Sequence, residues 1–364
     1  MHHGLELRVL TTDTAGPKLS QKVNVSGYPA NYEAGYEVYF CPRIAGASFS
    51  PRMFAEMPRL IRWADVVHLT GTYSFPTVPA LWFARQQRKP VVWSPRGALQ
   101  AVREWPGAKN KTAKRVFEKL CDALIRPNKV VLHVTSADER RASELAISAT
   151  SSVIIPNGVD IPETLMAKVW IPNGRLRILF ISRVDPKKGL EILIDALQLL
   201  KDPTISVDVC GSGNPGYIAH VQALIAKYRL GKCVHFLGHV DGEDKTRAFA
   251  QADICVLPSH SENFGMVIAE SLAHGVPVIT TRMTPWQELQ SHDCGLWIDN
   301  QPDVLAHAIT EIRGRDLAAM GARGREWMRR DFSWGAIASR MQRLYVDLAS
   351  NGIGRTNPVS VRGT

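Results

Sequence analysis

The chain has no apolar run of the roughly 18 residues that a membrane-spanning helix needs, and its start, MHHGLELRVLTTD, lacks the basic-then-apolar pattern of a signal peptide. Both absences point to a cytoplasmic protein. No C-x-x-C pair occurs among the six cysteines, Cys41, Cys121, Cys210, Cys233, Cys255 and Cys294. Several stand inside apolar runs such as SVDVC and DICVL, so they read as small buried hydrophobes in a reducing compartment. Asp-x-Asp is absent throughout, which leaves the sequence without a paired-carboxylate motif for a divalent ion.

What is present suits two globular domains. At 364 residues, 45% hydrophobic and 21% charged, the chain is long enough for two cores. The formal charge of +10 is uneven: residues 1–170 carry 22 Lys and Arg against 14 Asp and Glu, and the remainder 22 against 20. A basic first half attracts anionic partners. A nucleic-acid reading rests on this charge alone and is set aside.

Strand-like and helix-like segments alternate from residue 64: ADVVHLT, then 77–89, PVVWSP, the basic amphipathic 110–125, KVVLHVTS, 137–147 and SSVIIPNGVD. Residues 161–176 lose the periodicity and read as a linker. The rhythm restarts with RILFISR (177–183) and continues through DICVLPS (253–259) and VPVITT (276–281), with helices over 302–330 and 334–349 and a frayed end after 350. Alternation of this kind implies parallel sheets covered by helices. In such sheets ligands sit beyond the carboxyl ends of the strands, and two of them facing each other form a cleft.

Three strand-end loops carry chemistry. After RILFIS comes Ser182-Arg183-Val184-Asp185-Pro186-Lys187-Lys188-Gly189, where cations precede a helix start; Arg183 and Lys188 there suit a diphosphate. After DICVLP comes Ser259-His260-Ser261-Glu262-Asn263-Phe264-Gly265, opening a helix that contains Glu270. About eight helical residues span about 12 Å, so Glu262 and Glu270 cannot act as one carboxylate pair but can grip distant parts of an extended ligand. Gly211-Ser212-Gly213 follows ISVDVC; alone it signals either phosphate contact or a tight turn.

The ordered set S-R-x-x-x-x-K-G-L, G-x-G, F-L-G-x-V and A-D-I-C-V-L-P-S-x-x-E-x-F-G-x-x-x-x-E-x-x-A-x-G-x-P-V-I resembles the retaining family 4 glycosyltransferases of GT-B architecture. The likeness also touches V-V-H-L (66–69), S-P-R-G (94–97), I-P-N-G-V-D (155–160) and D-F-S-W (331–334). It implies two Rossmann-like α/β domains facing across a cleft: 1–168 for the acceptor, joined by a crossover helix at 335–350, and 171–334 for a nucleotide sugar. By the same resemblance Arg183 and Lys188 hold the donor diphosphate, and Glu262 contacts the sugar. Asn263, Phe264, Gly265 and Met266 cradle sugar and phosphate, with Gly211 and Gly213 on the donor side as well. Glu270 binds the ribose, and Gly238, His239 and Val240 lie beside the base.

No cofactor or metal is implied, because the two cations take the electrostatic role of a divalent ion. No second nucleophilic carboxylate is evident, which favours front-side attack with retained configuration. Relatives begin with a strand and glycine-rich loop before the segment that matches LELRVLTTD; residues 5–11 here read as the second strand, so the first strand and its loop are expected to be missing. The loop after PVVWSP carries Arg96 where many relatives have a histidine. Arg96 and His68 are the acceptor-side candidates. The run 96–129, with nine Lys and Arg against three Asp and Glu, reads as a surface for anionic membrane, its helix turning Val116, Phe117, Leu120, Ala123 and Leu124 to one apolar side, with Trp105 nearby. The expected reaction is hexosyl transfer from a nucleoside-diphosphate sugar to a saccharide or lipid-linked acceptor in surface polysaccharide or lipopolysaccharide assembly at the inner membrane face. The alternatives are a catalytically impaired sugar-nucleotide-binding protein and an epimerase or phosphorylase of the same fold.

Overall fold

The computed structural model describes residues 4–351 apart from 17, 33–34, 47, 100–109, 126–128 and 148–150. Contacts divide the chain into two compact units: Met1–Ile155 with Ala338–Thr364, and Pro156–Ile337. Residues 161–176 pack within the second.

In the first unit β1 (Arg8–Thr12), β2 (Ala30–Tyr32) and β3 (Tyr36–Cys41) form a small sheet in the order β1-β3-β2, with β1 parallel and β2 antiparallel to β3. Helix α1 (Pro51–Trp63) starts where the Ser50 side chain accepts the Met53 N–H and Pro51 occupies the first turn. β1 lies in the strand read over residues 5–11, whereas β2, β3 and α1 do not show in the sequence rhythm, because their apolar residues are interrupted by Tyr, Glu and Pro. From there on the alternation holds: β4 (Val67–Thr70), α2 (Thr77–Gln86), β5 (Val91–Ser94), α3 (Lys111–Ile125), β6 (Val130–Val134), α4 (Ala137–Ala146) and β7 (Ser151–Ile154). The four strands are parallel in the order β4-β5-β6-β7. All of β5 and β6 is buried, as expected for central strands covered on both faces.

The second unit runs β8 (Leu176–Ile181), α5 (Leu190–Leu200), β9 (Ile205–Cys210), α6 (Pro215–Lys227), β10 (Val234–Gly238), α7 (Gly242–Gln251), β11 (Ile254–Leu257), α8 (Met266–Ala273), β12 (Val278–Thr281), β13 (Gly295–Ile298), α9 (Pro302–Arg313) and α10 (Leu317–Trp327). Helix α11 (Trp334–Asn351) begins here, and its residues from Ala338 onward belong to the first unit. The sheet is wholly parallel in the order β10-β9-β8-β11-β12-β13. The chain therefore winds outward from β8 to β10, returns to β11 beside β8, and winds the other way. In open parallel sheets the place for a ligand is outside the carboxyl ends of the two strands where the winding reverses, which here are β8 and β11.

Three motif fragments prove to be architecture. Asp253, in the A-D-I-C-V-L-P-S run, is wholly buried and accepts hydrogen bonds from Ile171 N, Arg177 N and the Arg177 guanidinium at 2.7–3.0 Å. It thereby clamps residues 171–177 to the start of β11. The N-G-V-D and D-F-S-W fragments meet: Val159 N–H donates to Phe332 O at 2.8 Å, and a Cβ on Gly158 would lie 2.4 Å from the Trp334 ring.

The glycines of the G-x-G turn are explained by the same kind of close packing. A Cβ on Gly213 would lie 1.8 Å from Val184 O, and one on Gly211 1.8 Å from Ser182 O. These positions face rigid backbone that cannot turn aside. Gly213→Ala is expected to cost about 1–3 kcal/mol or more of stability by overpacking, read as a lower urea midpoint with unchanged slope; an unchanged midpoint contradicts this account of the turn.

Candidate functional site

At the reversal point the loops after β8 and β11 are locked together. The Asp185 side chain accepts the Lys187 N–H at 3.0 Å, a single turn spans Pro186–Lys188, and Gly189 at φ 67° launches α5. A Cβ there would lie 2.1 Å from Pro258 O, so glycine lets this loop rest directly on the end of β11. His260 N–H donates to Lys187 O at 2.9 Å. This brings Lys188 Nζ into an ion pair with Glu262 Oε1, their side chains only 15% and 11% exposed. The same carboxylate oxygen accepts the Ser259 hydroxyl at 2.9 Å. A cation and an anion from loops 74 residues apart are thus fixed at one point.

Helix α8 starts as α5 does, from a glycine with positive φ (Gly265, 80°), and no side chain caps either helix. The opening N–H groups of a helix lack intrahelical partners and carry its positive pole. Phe264 contributes backbone to this turn, while its ring is buried against Trp286 and Phe332 and its carbonyl accepts the Trp286 Nε1–H. Asn263 and Met266 flank it, half-buried. Arg183 lies on the β8 loop but is exposed, unlike Lys188. Gly211 and Gly213 press on that loop from β9.

Gly238, at φ 75° with no atom within 4 Å of a Cβ position, opens the space at the end of β10, and the half-buried Val240 follows. Glu270 is held by a residue that the sequence does not single out: Lys245 of α7, whose Nζ lies 2.7 Å from Glu270 Oε1. A second unread cluster surrounds the start of α5. His260 takes Asn300 Nδ2 at Nδ1 (3.1 Å) and faces Glu191 at Nε2 (3.3 Å), while Glu191 also receives the Tyr217 hydroxyl. Both groupings join residues distant in sequence, so no local spacing announces them.

In the first unit His68 is the centre of a polar chain across the strand ends. His133 Nε2 faces the Ile155 carbonyl at 2.8 Å, an acceptor only, so that nitrogen carries the hydrogen. His133 Nδ1 then accepts from Ser94 Oγ (2.7 Å), Ser94 accepts from His68 Nε2 (2.6 Å), and His68 Nδ1 accepts from the Tyr345 hydroxyl (2.5 Å). One carbonyl thus dictates both tautomers, assigned here from the hydrogen-bond pattern. His68 keeps an exposed face, yet its ring nitrogens are enclosed. Desolvation, then the neighbouring His133 and Arg96, lower its pKa from 6.5 to about 4. Desolvation also lowers His133.

Arg96, itself exposed at φ 55°, is therefore close enough for its charge to act on His68. Its loop is tied down by Glu139, which is wholly buried and accepts from Gly97 N (2.5 Å), Thr135 N and Thr135 Oγ1 (both 2.7 Å). The signal for Glu139 is the helix-start pattern Ser136-x-x-Glu139.

Helix α3 does not present the apolar side read from its sequence. Cys121 and Ile125 are buried and Phe117 and Leu124 pack with them, whereas Val116 (63%), Leu120 (48%) and Ala123 are exposed. The core stripe follows the spacing 117, 121, 124, 125, so Val116 and Leu120 stand outside among Lys111, Arg115 and Lys119. Trp105, Arg103, Lys109 and Arg126 of the basic run lie outside the described residues, as do residues 352–364 of the expected frayed end.

Two family models match the chain: the glycosyl transferase 4-like domain over residues 1–158 and glycosyl transferases group 1 over 162–327. A phosphatidyl-myo-inositol mannosyltransferase of Mycobacterium leprae (strain TN) is 25% identical over 96% of this chain and 90% of its own. Among solved structures, the sucrose-phosphate synthase of Thermosynechococcus elongatus aligns with TM-score 0.69 at 21% identity, covering 94% of this chain and 88% of that one. Anabaena HepE in complex with UDP-glucose aligns with TM-score 0.67 at 20% identity, covering 85% and 86%. At these identities the two structures speak for the fold.

The polar chain around His68 has a measurable consequence. With its folded pKa of about 4 below the ordinary 6.5, His68 binds fewer protons in the folded than in the unfolded state between those pH values. Its contribution to stability is therefore complete above 6.5 and is lost as pH falls toward 4. Calorimetric Tm measured from pH 7 to 4 should fall less steeply for His68→Gln than for the unmodified protein; identical slopes refute the assigned neutral state.

Proposed function

The chain belongs to the family 4 glycosyltransferases of GT-B architecture, enzymes that take a sugar from a nucleotide sugar, and on that premise we propose that it transfers a hexosyl group with retention, without a metal ion, to a saccharide or lipid-linked acceptor. The observation that carries the proposal is the sheltered Lys188–Glu262 pair at the reversal point of the second sheet.

In the unliganded protein each of these side chains neutralises the other. With donor bound, Lys188 turns to the diphosphate, and Glu262 accepts hydrogen bonds from sugar hydroxyls. Arg183, exposed on the same loop, adds a second cation to the diphosphate. The uncapped first turns of α5 and α8 supply N–H groups to its oxygens. Glu270 takes the ribose hydroxyls, and the open backbone at Gly238 and Val240 admits the base.

The reaction forms a bond from the acceptor oxygen to the anomeric carbon on the face from which the phosphate leaves. The bond from the anomeric carbon to the phosphate oxygen breaks, its electron pair stays with the nucleoside diphosphate, and a departing phosphate oxygen takes the acceptor's proton. Negative charge grows on the leaving group, where Lys188 and the helix start are already oriented, so little reorganisation is needed. These fixed charges fill the role for which other transferases use a divalent ion. On the acceptor side, Arg96 and His68 stand at the strand ends of the first unit.

The mannosyltransferase relative acts on phosphatidyl-myo-inositol according to its name, which supports a lipid-linked acceptor. The exposed Val116 and Leu120 among lysines support docking of α3 on anionic membrane, hence a peripheral enzyme of surface polysaccharide or lipopolysaccharide assembly at the cytoplasmic face.

The direct test is turnover over a panel of nucleoside-diphosphate hexoses, with the product anomer assigned by NMR. Retention and indifference to EDTA are expected; an inverted anomer, or activity abolished by EDTA and restored by a divalent ion, overturns the mechanism. Lys188→Ala should lower kcat/KM roughly 100- to 1,000-fold, the range for removing one group that stabilises developing charge; unchanged kinetics remove Lys188 from its role. For the membrane, Lys111→Glu with Lys119→Glu should reduce co-sedimentation with phosphatidylglycerol vesicles while leaving Tm within a few degrees; unchanged co-sedimentation removes α3 from that role.

A further inference from the structure

Lys245 has no part in the reaction described above, yet it holds a carboxylate that does. Its Nζ lies 2.7 Å from Glu270 Oε1, and the two side chains are 31% and 22% exposed. Lys245 stands on the first turn of α7, which begins at Gly242, four residues beyond the open strand end at Gly238. Glu270 stands on α8. The pair therefore joins the loop assigned to the base to the helix assigned to the ribose. The main chain around Glu270 is fixed as well, since its carbonyl accepts both His274 N–H (3.0 Å) and His274 Nδ1 (2.8 Å).

We propose that Lys245 is the positioning residue for ribose recognition: by gripping one oxygen of Glu270 it turns the other toward the nucleoside and makes the site selective for a ribonucleotide over a deoxyribonucleotide. The inference rests on the donor reading given under the proposed function. A free glutamate side chain samples many rotamers, and ordering it on binding costs affinity. Lys245 supplies that order beforehand. A carboxylate has about four lone-pair sites, of which the ammonium group occupies one. Enough remain for two adjacent ribose hydroxyls, one on Oε2 and one on the open side of Oε1. The ammonium also offsets a negative charge that would otherwise repel an anionic nucleotide. A site built in this way around a hydroxyl rejects the analogue that lacks it, because its own polar atoms are then left unpaired.

The test compares dissociation constants of UDP, GDP and ADP with those of their 2′-deoxy counterparts, by calorimetry, for the unmodified protein, Lys245→Met, Lys245→Arg and Glu270→Ala. The unmodified protein should favour its preferred ribonucleotide by about tenfold or more. Lys245→Met keeps much of the aliphatic stem and should bring the ratio to within about twofold, mainly by weakening the ribonucleotide. Lys245→Arg should restore most of it, and Glu270→Ala should abolish it. In turnover, Lys245→Met should raise donor KM about tenfold with kcat changed less than threefold.

A purely structural lysine would weaken ribo- and deoxyribonucleotides equally, and that result overturns the inference while leaving the donor site intact. So does a ratio unchanged in Lys245→Met. If Lys245→Met does not fold, Lys245→Gln takes its place: a ratio retained there overturns the inference, and a ratio brought to within about twofold supports it. Failure of all three diphosphates to bind the unmodified protein overturns the donor reading itself, and the inference with it.

Discussion

Contact between backbones where no side chain fits governs the second unit. Gly189 against Pro258, Gly211 against Ser182 and Gly213 against Val184 bring the loops after β8, β9 and β11 to within a peptide's thickness of one another. That approach happens at the carboxyl edge of the sheet, where the order β8-β11 marks the change of winding. Lys188 meets Glu262 because the two main chains have nowhere else to go. A cation and an anion so placed are sheltered before any ligand arrives, and a ligand that satisfies both has little conformational freedom left to remove.

The aromatic cluster of Phe264, Trp286, Trp327 and Phe332 does for α8 what the glycines do for α5. It pins the residue just before the helix from behind, so the first turn keeps its N–H groups uncapped. The first unit solves a similar problem with polar atoms. Its strand ends are held by a line of hydrogen bonds from Tyr345 to Ile155 whose direction is imposed at one end. The Arg96 loop is held by Glu139. A packed side is rigid through shape in one unit and through hydrogen-bond polarity in the other.

Much of this was legible in the chain. Buried parallel strands such as VVWS, VVLHV and LRILFI announce themselves as apolar runs, and the glycines and charges between them mark loops where function collects. The ordered motifs identify Lys188, Glu262 and Glu270 individually. Pairing was not legible: Lys245 with Glu270, His260 with Glu191, and Ser94 with His68 and His133 are tertiary relations between segments that share no spacing. The mistake on α3 has a related cause, since a helix with apolar residues over half its circumference does not say which part the core takes. The turn Gly211-Ser212-Gly213 had two readings, and backbone packing accounts for both glycines without a ligand.

Helix α11 carries Tyr345 and Leu348 into the first unit, where Leu348 covers Val92 and Val131 and the tyrosine completes the line to His68. That unit is therefore not one continuous stretch of the gene. Any exchange of this unit between homologues, natural or engineered, has to carry helix α11 along with residues 1–155, or the transplanted strands arrive with an uncovered apolar face and an unfinished proton arrangement. Inheritance of this unit is split between two separated stretches of sequence.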